Sequence, residues 1–214
     1  MEKNIGRINV NAIGRLREAI LGGDQKACFL EREELLHRHS GETMSLPHHE
    51  RYVHEFELLC DGLSCPCDDE NPFAGKFVEG RWEHPFGFSR VPGGLWSNGH
   101  ITHDWPRILT KGLMDFVVET SSASEQLGTS QAAYFATCTR RCVDAVARFA
   151  GRFADAAKAS GKIFASSSLR IVPYYSAYDF FSALQSMWFW HFVTSGICGA
   201  RDFALGRLDE YLFP

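Results

Sequence analysis

The first third of this 214-residue chain contains several residues that could act as metal ligands. They are Cys60, Cys65, Cys67, His48, His49 and His54. Structural zinc sites usually need two pairs of ligands of the Cys-x2–4-Cys type. Here one residue separates Cys65 from Cys67 and no second pair follows. Free thiols and surface histidines are therefore the favoured interpretation, and we expect no tightly bound zinc. A small metal-binding protein built on these cysteines stays a weaker alternative.

His100 is the strongest candidate for acid–base or substrate-binding chemistry. It follows Gly99 and precedes Asp104-Trp105-Pro106, where an aspartate N-cap and a proline in the first turn predict the start of a helix. An imidazole placed there could donate, accept or titrate inside a cavity. It could equally form a hydrogen bond with the start of the helix. The residues alone leave both alternatives open.

Charged residues follow the most apolar segment of the chain. Arg201-Asp202 and Arg207-Asp209 come shortly after a helix that carries Phe, Trp, Met and Leu side chains on nearly every side. Charges that become buried must be paired or used. Ion pairs could fix the turn after the helix, or a polar cluster could form the rim of a pocket. Cys138 and Cys142, one helical turn apart, are interpreted as core-packing residues.

The elements that must position these residues are mainly helices. The pattern predicts helices over residues 1–60, an irregular loop region over residues 61–103 with a short strand at Lys76–Glu79, and further helices over residues 104–214. A Ser/Gly linker is predicted at Ser121–Ser130. The longest helix is predicted from Gln131 to Ala159.

The last predicted helix begins at Ser176, with Asp179 three residues later as a variant of the capping box. Because it is apolar all round, we expect it to be buried and to run to about Val193. The whole chain is expected to form a single structural unit.

Composition excludes several classes of function. Hydrophobic residues make up 45% of the chain, enough for a core, and 22 basic against 26 acidic residues give a net charge of −4, which disfavours nucleic acid as a partner. The sequence contains no secretory peptide and no apolar run long enough for a membrane span. Seven irregularly spaced cysteines argue against a secreted disulfide framework. A soluble, cytoplasmic protein without membrane partners is expected.

Four segments, taken in order, resemble the pyruvate formate-lyase family of glycyl radical enzymes. They are the segment from Ile13 to Arg32; Gly99-His100-Ile101 with Asp104-Trp105 and Lys111-Gly112-Leu113; Ala183-Leu184-Gln185 with Trp188-Phe189; and Gly206-Arg207-Leu208-Asp209-Glu210-Tyr211-Leu212-Phe213-Pro214. They match the first two helices of the family, its Gly-His-Ile-x-x-Asp-Tyr stretch, its Glu-Ala-Leu-Gln-x-x-Trp-Phe stretch and its Gly-Arg-x-Asp-Gln-Tyr-Leu-Tyr-Pro stretch.

The resemblance implies a mainly α chain that forms the N-terminal helical part of a truncated glycyl radical enzyme-type α/β barrel. The parent would be a lyase or a formate acetyltransferase-like transferase of anaerobic metabolism, cleaving a C–C, C–O or C–N bond of a small polar substrate. A radical S-adenosylmethionine activase would install the glycyl radical. His100, Arg201 and Asp202 are the substrate-binding candidates that the resemblance supports.

This sequence departs from the family where radical chemistry is concerned. Neither the thiyl cysteine of the family nor its Arg-Val-x-Gly-type glycyl motif is found, and Cys198 stands in a different context. We therefore assign no catalytic residue and no bound cofactor to this chain, and expect it to be inactive alone. A missing C-terminal portion would be its partner, and a homodimer is a further possibility. The competing hypothesis is a stand-alone, non-catalytic helical interaction module.

Overall fold

The computed structural model describes residues 10–22, 26–67, 70–76, 102–199 and 204–212. The α-helices of these ranges are α1 (Val10–Gly22), α2 (Lys26–Arg38), α3 (Ser40–Thr43), α4 (His48–Gly62), α5 (Trp105–Lys111), α6 (Met114–Leu127), α7 (Ser130–Ala159), α8 (Ile163–Leu169), α9 (Phe180–Phe192) and α10 (Leu208–Tyr211). A π-helical segment, Val193–Ile197, continues α9. Within the described ranges, backbone pairing of the β type is limited to two isolated bridges. The prediction of a mainly helical chain is confirmed.

The longest helix lies where the sequence predicts it, but the linker before it is helical. Helix α6 continues to Leu127, so the prediction of an irregular Ser/Gly linker over Ser121–Ser130 is wrong. Serine in the last turns of a helix costs only a few tenths of a kcal/mol relative to better helix formers, about 0.5 at most. Gly128, with φ of 61°, ends α6 in the left-handed conformation, and Thr129 caps α7 by accepting a hydrogen bond from the Ala132 amide. The break is therefore two residues long.

Helix α9 begins later than the sequence pattern indicates. Asp179 is its N-cap, accepting a hydrogen bond from the Ser182 amide at 2.7 Å, while the Ser182 hydroxyl contacts the Asp179 amide at 3.0 Å. The capping box therefore runs from Asp179 to Ser182 and not from Ser176 to Asp179. The predicted strand at Lys76–Glu79 lies outside the described residues apart from Lys76, which is not in a strand.

Aromatic side chains of α7 and α9 form the centre of the core. Phe149 and Phe153 of α7 pack against Phe189 and Phe192 of α9, with ring centroids 5.2 to 5.9 Å apart. All four are fully buried. Burial of each contributes about 1.5–3 kcal/mol relative to exposure. This cluster confirms the prediction that the last long helix is a buried one.

A buried arginine connects α2 to the π-helical segment. Arg32 is fully buried, and its Nε donates a hydrogen bond of 2.8 Å to the Ile197 carbonyl. Its guanidinium also pairs with the neighbouring Glu33 at 2.5 Å. Burial lowers the pKa of Arg32, and Glu33 opposes that shift. The arginine thereby supplies a partner to a carbonyl at the end of the π-helical segment, which is itself buried.

Large apolar side chains remain exposed, and they are not mainly those of α9. Phe164 on α8 is 80% exposed, whereas on α9 exposure above one half is found only at its first residue, Phe180. Helices α7 and α8 and the loop at residues 70–76 cover most of α9. We call Ile163, Phe164, Tyr178 and Phe180, where α8 and α9 both begin, the exposed apolar patch. No helix of the described ranges is both long and apolar enough to cross a membrane.

Candidate functional site

An isolated parallel bridge joins two segments that are distant in sequence. It pairs Thr102, before α5, with Ala204, before α10. Helix α10 also packs against α5. These are the two segments in which the sequence predicts chemistry, because Thr102 follows His100 by two residues and Ala204 follows Asp202 by two. The bridge is therefore the structural centre of the candidate site.

A glycine makes the close approach at the bridge possible. Gly206 has φ of 67°, and a Cβ there would lie 2.7 Å from the Tyr211 hydroxyl and 3.1 Å from the Thr102 methyl group. The positive φ and the lack of space both require glycine. The glycine at the start of the fourth family-like segment thus has a packing reason in this structure.

The pair Arg207 and Asp209 fixes the turn that follows. The Arg207 guanidinium donates two hydrogen bonds to the Asp209 carboxylate, of 3.0 and 2.7 Å, and also contacts Glu210 at 3.0 Å. The pairing raises the pKa of Arg207 and lowers that of Asp209. Both side chains are exposed, so the pair acts as a turn-fixing ion pair, the first of the two interpretations open from the sequence.

Helix α5, which follows Thr102 of the bridge in the sequence, is held at both ends. Asp104 caps it by accepting a hydrogen bond from the Arg107 amide. At its other end Gly112, with φ of 77° and ψ of 177°, lies against the backbone of Tyr174 and Tyr175, where a Cβ would approach to 2.5 Å. The next amide, Leu113, donates to the Pro173 carbonyl at 2.9 Å. The helix that follows the bridge is thereby fixed at both ends.

An aromatic cluster lies beside the start of α5. The His103 ring contacts Trp105 edge-on at 5.0 Å between centroids and Trp190 at 6.0 Å. Trp105 is fully buried. Partial burial lowers the pKa of His103, because desolvation penalises the imidazolium form. The burial therefore favours the neutral imidazole of His103 over its imidazolium form.

His103 also lines a cavity of about 500 Å³ between α4, α5, α6, α7 and α9. Its other walls are mostly apolar and include Phe116, Phe135 and Trp190, together with two thiols, Cys138 and Cys142. The apolar stripe of α7 is fully buried at Phe149 and Phe153 but only half-buried at these cysteines. Cys138 and Cys142 therefore lie where the apolar stripe borders the cavity, beside the buried Val143 and Val146, and their interpretation as core-packing residues stays a prediction.

The substrate-binding candidates themselves, His100, Arg201 and Asp202, lie outside the described residues. The structure places the described neighbours of all three at the bridge. Sequence reasoning missed His103, Cys138 and Cys142 as residues of a common cavity. The i, i+4 spacing of the cysteines was the available signal, since it places both thiols on one face of a helix.

The structure shows the surroundings of several residues that were considered as zinc ligands. Cys60 is fully buried within α4, and burial raises the pKa of its thiol well above the usual value. Cys65 is half-buried and has its pKa raised to about 11 by burial. His49 contacts the Tyr134 ring edge-on at 5.0 Å. In the part of the chain that the structure describes, no three His, Cys, Asp or Glu side chains are grouped to hold a metal ion.

The third family-like segment has a structural role. Gln185 is fully buried, and its amide donates to the Ala74 carbonyl at 3.0 Å and accepts from the Ala74 amide at 2.9 Å. Beside it the Trp188 indole lies against Gly75, 3.2 Å from where a Cβ would stand. These contacts attach the loop at residues 70–76 to α9.

The arrangement of helices is that of glycyl radical enzymes. A similar solved structure, from Roseburia inulinivorans, concerns 1,2-propanediol dehydration; it has a TM-score of 0.69 and 18% sequence identity, and the match covers 86% of this chain and 33% of that chain. A glycyl radical enzyme from Archaeoglobus fulgidus has a TM-score of 0.68 and 14% identity, with 86% of this chain and 34% of that chain covered. The glycerol-bound B12-independent glycerol dehydratase of Clostridium butyricum has a TM-score of 0.73 and 14% identity, with 100% of this chain and 37% of that chain covered. This chain therefore spans about a third of their length and corresponds to a helical N-terminal portion.

The family model for pyruvate formate lyase-like proteins matches residues 95–214, more than half of the sequence. The chain belongs to the pyruvate formate lyase-like family. No curated protein matches it. The resemblance inferred from the four segments is confirmed at the level of family and fold.

Proposed function

We propose that this chain supplies the N-terminal, substrate-facing helical region of a glycyl radical enzyme that cleaves a C–O, C–C or C–N bond of a small polar molecule in the cytoplasm. The Thr102–Ala204 bridge is the observation that carries the proposal. Two of the similar proteins are described with 1,2-propanediol and glycerol. A polyol-sized substrate is accordingly the first to test.

His100, Arg201 and Asp202 are proposed to contact that substrate. In the sequence, His100 precedes Thr102 by two residues and Asp202 precedes Ala204 by two. The bridge pairs Thr102 with Ala204. Imidazole and carboxylate groups accept hydrogen bonds from hydroxyls, and a guanidinium donates to developing negative charge. The three residue types together suit a polyhydroxylated or carbonyl-bearing molecule.

The radical chemistry itself is proposed to need segments that this sequence does not contain. This sequence contains neither the thiyl-cysteine segment nor the glycyl motif that the family uses. We propose as partners a C-terminal portion that carries both motifs and a radical S-adenosylmethionine activase that generates the glycyl radical. This chain would then contribute binding and orientation, without a cofactor of its own.

Electron paramagnetic resonance tests this division of roles. The chain alone, incubated with an activase, S-adenosylmethionine and a reductant, is expected to give no glycyl-radical doublet. Co-expression with a polypeptide carrying both radical motifs is expected to give the doublet and turnover of glycerol or 1,2-propanediol. A doublet on the isolated chain would contradict the proposal, because it would show that this sequence does contain a residue able to carry the glycyl radical.

The His100→Ala variant tests the binding site within the reconstituted enzyme. Turnover is expected to fall while the melting temperature of the chain stays unchanged, and His37→Ala, on the exposed end of α2, serves as the matched control. Equal losses of turnover and stability would assign His100 to the start of α5 instead.

A non-catalytic helical interaction module is the second candidate, favoured by the exposed apolar patch. Under that proposal the patch binds a partner and His100 is dispensable. Loss of partner binding in Phe164→Ser, with no effect of His100→Ala in any reconstituted activity, would support the module.

A further inference from the structure

Two thiols on one face of α7 share a wall of the cavity described above. Cys138 and Cys142 are separated by one helical turn, both are half-buried, and both line the 500 Å³ cavity. At i, i+4 spacing their Cβ atoms lie about 5–6 Å apart. The cavity gives a small solute access to both sulfur atoms.

The spacing favours metal binding over a disulfide. A disulfide needs Cβ atoms about 3.5–4.5 Å apart, closer than the regular α7 backbone brings them. An ion inserted between the two sulfur atoms spans the greater distance without bending the helix. Thiolate ligands select soft ions such as Cu(I).

The number of protein ligands that the site offers indicates which metal ion could bind there. Zinc sites in proteins are four-coordinate, and the described residues offer no group of three candidate ligands. Monovalent copper accepts two thiolates in a linear arrangement and needs no third protein ligand. Phe116, Phe135 and Trp190 make the wall around the two thiols mostly apolar.

We propose that Cys138 and Cys142 form a two-coordinate site for a soft monovalent cation, Cu(I), on the wall of this cavity. On binding, both S–H bonds break, the two protons pass to solvent, and two S–Cu bonds form. Copper stays in the +1 state, so no oxidant or reductant takes part. Burial raises the pKa of Cys142 to about 12, so the ion must displace a bound proton there.

Anaerobic competition for Cu(I) between the full chain and a chromophoric Cu(I) chelator tests the proposal. Cys65 and Cys67 are a second pair of half-buried thiols, so the measurement is made in a Cys65→Ser/Cys67→Ser background. One equivalent of Cu(I) per chain is expected there. Adding Cys138→Ser or Cys142→Ser should weaken binding at least about 10–100-fold, the range that loss of an outer-shell partner already costs.

Circular dichroism of each variant shows whether α7 is intact, and Cys138→Ser provides the test if Cys142→Ser fails to fold. Loss of copper in the Cys65→Ser/Cys67→Ser background would overturn the proposal. Unchanged affinity in folded Cys138→Ser would do so as well.

Discussion

Gln185 shows how a single amide can hold a loop to a helix. Replacing it with leucine keeps the volume but leaves the Ala74 amide and carbonyl without their side-chain partner. Each buried backbone group that loses its bond costs about 1–3 kcal/mol, so the two groups together predict that Gln185→Leu lowers the free energy of unfolding by about 2–6 kcal/mol. Urea denaturation measures it. Gln126→Leu, on the exposed end of α6, should change stability little; equal effects would contradict the assigned role.

Gly112 and Gly128 both have positive φ but differ in how closely they are packed. A Cβ at Gly112 would lie 2.5 Å from the Tyr175 backbone, and the φ of 77° and ψ of 177° at Gly112 are essentially restricted to glycine, whereas a Cβ at Gly128 would meet nothing within 4 Å. Gly128→Ala pays only for the left-handed conformation, about 1–2 kcal/mol. Gly112→Ala adds a clash of the kind that costs about 1–3 kcal/mol. Thermal melts should therefore show a clearly larger loss for Gly112→Ala, and similar losses would exclude the close approach.

Among the helices, α9 is one whose start differs between the structure and the sequence pattern. Asp179→Ala removes the side chain that accepts from the Ser182 amide and should cost about 0.5–2 kcal/mol. Ser176→Ala, at the position where the pattern places the helix start, should have almost no effect. Chemical denaturation of both variants decides the matter. A larger loss for Ser176→Ala would restore the earlier start.

The same comparison shows what the sequence can and cannot predict. Helix α7 is predicted within one residue because its apolar stripe runs for many turns. The end of α6 and the short α8 were not predicted, since Ser-rich segments become helical through packing against α7 rather than through propensity. For the candidate site, too, the sequence predicts one part and only the fold reveals the other. The family-like segments identify it, but only the fold reveals that Thr102 and Ala204 are paired and that Cys138 and Cys142 face a cavity.

For the whole molecule, the exposed apolar patch governs solution behaviour. Phe164 is 80% exposed, so Phe164→Ser should reduce binding of a hydrophobic dye or self-association while leaving the free energy of unfolding nearly unchanged. Size-exclusion chromatography, dye fluorescence and a thermal melt measure these quantities. Leu21→Ser, an exposed apolar residue of α1, is the control. If Phe164→Ser and wild type both run as monomers without dye signal, the patch is not adhesive.

The hydrogen bond from Arg32 to Ile197 also sets an order of events on the ribosome. Its two ends are separated by 165 residues, which take about 10–30 s to synthesise. During that interval the guanidinium lacks the Ile197 carbonyl as an acceptor, so α2 cannot complete its burial. We expect the nascent chain to remain sensitive to protease near Arg32 until residues beyond Ile197 have emerged. The earliest helices of this protein are therefore among the last to reach their final environment.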